Sequence, residues 1–218
     1  MIARIRSLSL PWLVVVALVA DCARVPDYAL PQVRNVDGPS AVPSDSISYR
    51  ALSREDFRAT GPPARMAGYA DRMAAYTCAN VVPSLPIAIR VEPAGHGYVA
   101  TAPEFEAHAE MDRGCSWWND AIVTSQTPAY ILQHEQIHFA LIEIAARELR
   151  RRGRALRVHG ESVEAAHAAF ESQLEELRGE IADSILRRNT ELDRDTSAVY
   201  DPNAQQRWYE RVTGELRR

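Results

Sequence analysis

The residues of this chain whose types and spacing could do chemistry are two histidines four positions apart with a glutamate directly after the first: His134-Glu135-Gln136-Ile137-His138. On a helix, positions four apart lie about one turn from each other on the same face, so both imidazoles can reach one tetrahedral metal ion. Glu135 falls on the adjacent strip. From there its carboxylate reaches a water beside the metal without being a ligand, the placement a general base needs when that water attacks a carbonyl. The pattern predicts a zinc ion held by His134 and His138, with Glu135 as base in the hydrolysis of a peptide bond or a related amide. Protein or peptide is the expected partner.

A catalytic zinc takes three protein ligands and a water, so a third residue is required. Glu143 lies nine positions after His134, roughly on the opposite side of a straight helix, which removes it. His167 and the carboxylates Glu164, Glu171 and Glu180 of the following helix are candidates that the sequence does not rank. His96, His108 and His159 read as loop or surface residues.

The motif needs a helix to sit on. From Tyr130 to about Arg151 the apolar residues Ile137, Leu141, Ile144 and Ala145 recur at helical spacing, with Pro128 near the start and Gly153 marking the end. A second helix is predicted from Glu161 to about Arg188, with an apolar stripe of Val163, Ala166, Phe170, Leu174, Leu177, Ile181 and Ile185 that must be buried, its natural partner being the first helix. A third, from Pro202 to Leu216, closes the domain. Before the motif, Leu85, Ile87, Ile89 and Val91 alternate with Pro86, Ala88 and Arg90 as a half-buried strand does, and Gly97-Tyr98-Val99 follows a turn at Pro93 to Gly95. Pro86 confines that strand to a sheet edge or moves its start to Ile87. Ala64 to Cys78 suits either a helix or a strand.

The 218 residues carry 25 Lys and Arg against 29 Asp and Glu, a net charge of -4. That balance excludes nucleic acid as an expected partner, since phosphates demand a basic excess. The cluster Arg147, Arg150, Arg151, Arg152, Arg154 and Arg157 could face anionic lipid, but basic residues at a helix C-terminus also complement the macrodipole, and that reading is preferred.

At the N-terminus, Arg4 and Arg6 precede an apolar run from Leu8 to Ala20, too short to span a bilayer and readable as a secretory signal peptide. Leu18-Val19-Ala20-Asp21-Cys22 resembles a lipoprotein cleavage box, with Asp21 where a small residue is wanted. The chain is therefore exported to the periplasm or cell envelope, either anchored in the membrane through a lipid on Cys22 or cut by ordinary signal peptidase and soluble. Residues 24–46, rich in Pro, Ser, Asp and Gly, form a flexible tether between the signal, residues 1–23, and a single domain over 47–218. In an oxidising compartment Cys78 and Cys115 form a disulfide, stabilising by ~3 kcal/mol in the chain-entropy model.

His134-Glu135-Gln136-Ile137-His138-Phe139, followed by Glu143, resembles the DUF922 family of bacterial secreted proteins, regarded as zinc-dependent proteases. Tyr49-Arg50-Ala51-Leu52-Ser53-Arg54-Glu55-Asp56-Phe57 looks like that family's opening motif, Ser116-Trp117 like its Ser-Trp pair, and Thr196 with Gln205 and Trp208 like its C-terminal signature. The family pattern has Tyr-Asp and then Thr-x-His-Gly where this chain has Leu192-Asp193 and Thr196-Ser197-Ala198-Val199. The downstream histidine is absent, and Ala140 stands where an aspartate is usual. By its place in that motif, Asp193 joins the candidates for third ligand. The resemblance implies an α+β, zincin-like fold: a small N-terminal sheet packed on the active-site helix, and a second long helix completing the site. The alternative, prompted by the missing histidine, is a zincin-like envelope binding protein without turnover.

Overall fold

The computed structural model describes residues 45–123, 128–197 and 200–218. The signal segment, Cys22, nearly all of the tether and Ala198 lie outside the described residues.

In chain order the elements are β1 (Ser46–Ser48), β2 (Ala75–Tyr76), β3 (Ala79–Pro83), β4 (Arg90–Ala94), β5 (Gly97–Thr101), β6 (Ala107–Asp112), β7 (Trp117–Trp118), α1 (Pro128–Ala155), β8 (Val158–Gly160), α2 (Val163–Thr196) and α3 (Pro202–Leu216). The architecture is α+β, with the strands arranged β1-β6-β3, β2-β7 and β4-β5-β8. All pairings between strands are antiparallel; Val81 faces Ala109 and Val99 faces His159. In the central strand β6, Ala107, Ala109 and Met111 are buried and alternate with His108, Glu110 and Asp112, the two-residue period of a strand with one face on a core.

Two apolar clusters hold these layers together. In the first, Ile137, Phe139, Leu141 and Ile142 of α1 pack against Ala109 and Met111 of β6 and Trp208, Val212 and Leu216 of α3. In the second, Ala166, Phe170, Leu174 and Leu177 of α2 pack on Ala100, Phe105 and Leu149. The stripe expected on the second helix is thus buried, against α1 as expected and also against the β4-β5-β8 side. Val163, at the first turn, is exposed. The helix also runs eight residues past its predicted end, to Thr196.

Two local expectations are corrected. The strand begins at Arg90 and not near Ile87, because Leu85 is solvent-exposed and Pro86 has no amide hydrogen to give a ladder. Pro93, read as part of a turn, lies inside β4, an edge strand where a missing donor is tolerated; the turn falls at Gly95, with φ of 62°. Ala64–Tyr69 is a 3-10 segment followed by β2, so the ambiguous stretch is both helical and extended.

Five of the six arginines in the cluster meet carboxylates: Arg147 bonds Glu143, Arg151 bonds Glu148, Arg152 bonds Glu180, and Arg150 and Arg154 share Glu106. Cys78 and Cys115 are bridged, with Cα atoms 5.7 Å apart. Among the described residues no helix is long and apolar enough to cross a membrane.

Gly153 does not end α1, which continues to Ala155. It is glycine because a Cβ there would meet the Phe105 ring at 2.5 Å. Glycine inside a helix normally costs about 1 kcal/mol relative to alanine. Gly153→Ala is therefore expected to reverse the usual sign and destabilise by roughly 1–3 kcal/mol, since the buried ring must shift. Gly179→Ala in α2, where the added carbon meets nothing within 4 Å, should stabilise by up to about 1 kcal/mol. Urea unfolding of both variants checks the pair.

Candidate metal centre

His134 and His138 lie one turn apart on the inner face of α1, as their spacing requires, with ring centroids 4.6 Å apart. Helix α2 returns antiparallel to α1 and brings Asp193 of its last turn against them. Asp193 Oδ1 lies 3.3 Å from His134 Nε2 and 3.1 Å from His138 Nε2, and the two Nε2 atoms are 2.9 Å apart. Two ligands each ~2.05 Å from a tetrahedral zinc are about 3.3 Å apart, so the triangle is close to what zinc demands. These three residues are the one group of potential ligands found among the described residues.

The outer nitrogens of both rings are spoken for. Thr196 gives its hydroxyl hydrogen to the carbonyl of Leu192 at 2.6 Å, so its oxygen accepts from His134 Nδ1 at 3.0 Å. Asn189 turns its amide nitrogen to the carbonyl of Ile185, leaving Oδ1 to accept from His138 Nδ1 at 2.6 Å. With Nδ1 of each ring donating outward, Nε2 is the nitrogen each ring turns to Asp193; on His138 it carries a proton in the metal-free protein and offers its lone pair once that proton is displaced. Outer hydrogen bonds of this kind fix the tautomer a metal needs. Without a metal, burial pulls His138 down, but its hydrogen bond to Asp193 and the charges of Asp193 and Glu135 outweigh it and push the pKa up to about 9. Burial of Asp193 is likewise outweighed by the two histidines, which hold its carboxyl far below the usual range. A proton or a cation is what the donor set calls for, and the residues fit zinc.

Glu135 is buried, 4 % exposed, and lines the same cleft as the two histidines and Asp193. Its Oε2 accepts the hydroxyl of Thr77 at 2.6 Å. Thr77 precedes Cys78, whose amide donates to Ser116 Oγ at 3.0 Å, while Ser116 donates onward to the carbonyl of Asp112. The disulfide and this buried serine hold the short connection between β2 and β3 that carries Thr77.

The neighbouring motif residues are braces. Gln136 accepts from the amide of Leu52 at 2.7 Å and donates to the carbonyl of Arg50, tying the Tyr49–Phe57 segment to α1. Gln205 of α3 donates to the carbonyl of Tyr130 and to Gln133, and Trp208 donates to Asp195 beside the ligand. Ala140 is buried in the first core, where an aspartate would be stripped of water.

His167, a candidate third ligand, is not brought to the site. It lies about 39 Å from Asp193 along α2 at ~1.5 Å per residue, on an exposed face beside Glu171. Glu164 and Glu171 share that remote part of α2, and Glu180 pairs with Arg152. Glu143 is engaged by Arg147. Sequence reasoning missed Thr77 and Asn189. Asn189, Asp193 and Thr196 recur at helical spacing, a polar stripe that could have been read once the helix was known to reach them. Thr77 is distant in sequence and carried no such signal.

No family model, no curated protein and no solved structure matches this chain.

Thr196→Val keeps the three candidate ligands and removes the acceptor that orients His134; for a site that takes zinc, the dissociation constant should rise roughly 10–100-fold, read by competition with a chromogenic chelator. Because His138 is protonated up to about 9 in the metal-free protein, zinc must displace a proton at pH 7. Affinity should therefore tighten about tenfold per pH unit from 7 to 8 and level off above the histidine's pKa. Titration calorimetry in buffers of different ionisation enthalpy should show about one proton released per zinc bound.

Proposed function

We propose that this chain is an exported zinc-dependent peptidase with a zincin-like fold, of the kind its resemblance to the DUF922 family implies. His134, His138 and Asp193 are its metal ligands and Glu135 its general base. The observation that carries this reading is the convergence of three potential donor atoms within 3.3 Å, two of them imidazole Nε2 atoms whose Nδ1 partners are taken by Thr196 and Asn189, in a cleft shared with a buried carboxylate.

A zinc ion held there supplies Lewis acidity, lowering the pKa of water towards ~7 and polarising a carbonyl. The side chains supply the proton handling. Thr77 occupies Oε2 of Glu135, which leaves Oε1 to take a proton as water adds to the scissile carbonyl. The same carboxyl returns that proton to the amide nitrogen as the C–N bond breaks, so the base ends each turnover ionised. Thr196 and Asn189 hold Nδ1 of the two histidines, so that Nε2 is the atom each would present to the metal.

Export rests on the N-terminal signal pattern and on the Cys78–Cys115 bridge, which suits an oxidising compartment. The destination is the periplasm or cell envelope, with a lipid on Cys22 as the possible anchor. The rival reading, a binding protein without turnover, drew on Ala198 standing where the resembled family has histidine. Asp193 offers a third donor without it, which answers the missing histidine as an objection to metal binding; turnover is what separates the two readings.

The zinc-loaded protein should release fluorescent fragments from labelled casein, and Glu135→Gln should retain its zinc while kcat falls roughly 10²–10⁴-fold. Equal activity in parent and variant, at equal zinc content, would sink this reading.

A further inference from the structure

The metal ligands occupy only one part of a cleft of about 1020 Å³. One wall is α2 from Asp193 back to Glu175, the other is the 3-10 segment with β2 and β3, and the floor is α1. Because α1 and α2 run antiparallel with His134 opposite Asp193, the metal centre lies towards one end. The α2 wall is about 27 Å long at ~1.5 Å per residue, room for about eight extended residues at ~3.3 Å each. Most of that length lies to one side of the metal.

Much of its lining away from the metal centre is apolar. Ile181, Ile185 and Leu186 project from α2, with Met66, Tyr69 and Met73 opposite. Leu186 is 67 % exposed and Tyr69 54 %, large side chains of one cleft that present apolar surface to solvent, the Tyr69 ring with the Arg72 guanidinium 5.5 Å from its centroid. Such exposure marks a surface that gains by being covered, and the two methionines can adapt to varied apolar partners. The charges at the far end cancel, Arg178 bonding Glu175 at 2.7 Å. At Gly179, which also lines the cleft, a Cβ would meet nothing within 4 Å, so no side chain fills that turn. Asn80 and Thr190 offer hydrogen bonds that a polypeptide backbone uses and an acyl chain does not.

From these observations we infer that the cleft is a subsite for a run of apolar residues lying on one side of the peptide bond to be cut. The substrate class is an unfolded or locally extended polypeptide with an exposed apolar stretch. The identity of the occupant rests on the peptidase reading; the apolar preference rests on the cleft itself.

The test is fluorescence anisotropy with the zinc-loaded Glu135→Gln protein and two fluorescein-labelled peptides, one with a leucine-valine run and one with that run changed to serine. The leucine-valine peptide should bind roughly tenfold more tightly. Leu186→Asp and Tyr69→Asp, each placed in the Glu135→Gln background and each at an exposed position, should remove most of that difference while unfolding in urea at the parent midpoint. Equal binding of the two peptides, or a preference untouched by both substitutions, overturns the inference. Preferential binding without cleavage by the parent protein keeps the subsite and discards the peptidase. Cleavage of both peptides at equal kcat/KM, with equal binding, does the reverse.

Discussion

Three lone-pair-bearing atoms held within 3.3 Å of one another repel unless a cation or proton sits between them, so the fold must force them together. In this chain the force comes from the antiparallel packing of α2 on α1. Asn189 meets His138, while Asp193 and Thr196 meet His134. That register is set by burial far from the site, where Phe170, Leu174 and Leu177 of α2 and Leu149 of α1 share one core. A slip of α2 by one residue would rotate Asp193 by about 100° away from the histidines. Local electrostatic strain is thus offset by apolar burial elsewhere in the helix pair.

Around that helix pair, buried polar side chains satisfy the backbone of irregular segments. Gln136 lies on the histidine helix but faces away from the metal, where it pairs with the main chain of Arg50 and Leu52. Asp56 collects Arg50 and the amide of Ser53, folding the same segment into a compact turn. These contacts give α1 neighbours on several sides, which is why its middle is buried almost all round and not along one stripe. A rigid α1 keeps the two imidazoles at fixed separation.

The placement of the histidine pair, the adjacent glutamate and the helix that carries them was legible because one short motif and one period encode all three. The disulfide partners were legible from cysteine count and expected compartment. Asp193 entered only through resemblance to a family motif; helical periodicity alone stopped near Arg188, since the polar run Arg187-Arg188-Asn189-Thr190-Glu191 conceals the last two turns. Those turns hold because Leu192 and Thr196 are buried against α1 and α3, a tertiary effect invisible in a local window. His167 looked suitable because its neighbours are apolar, but its own side chain points out of the stripe. The strand at Leu85 failed for a related reason: alternation was present, yet no partner strand lies opposite it.

The third donor sits on the final turn of α2, where a helix ordinarily frays. The negative end of the helix dipole favours a cation there, and α3 holds the turn through Trp208 on Asp195, with Tyr130 bonding the carbonyl of Thr196. Metal affinity in such an arrangement includes the free energy of keeping a helix end wound. Under the proposed metal reading, amide exchange near Asp193 would gauge occupancy, slow with an ion tying the two helices together and faster without it. A change in α3 that never touches the ion would register as a weaker site, because the ligand it loses is a turn of helix before it is a carboxylate.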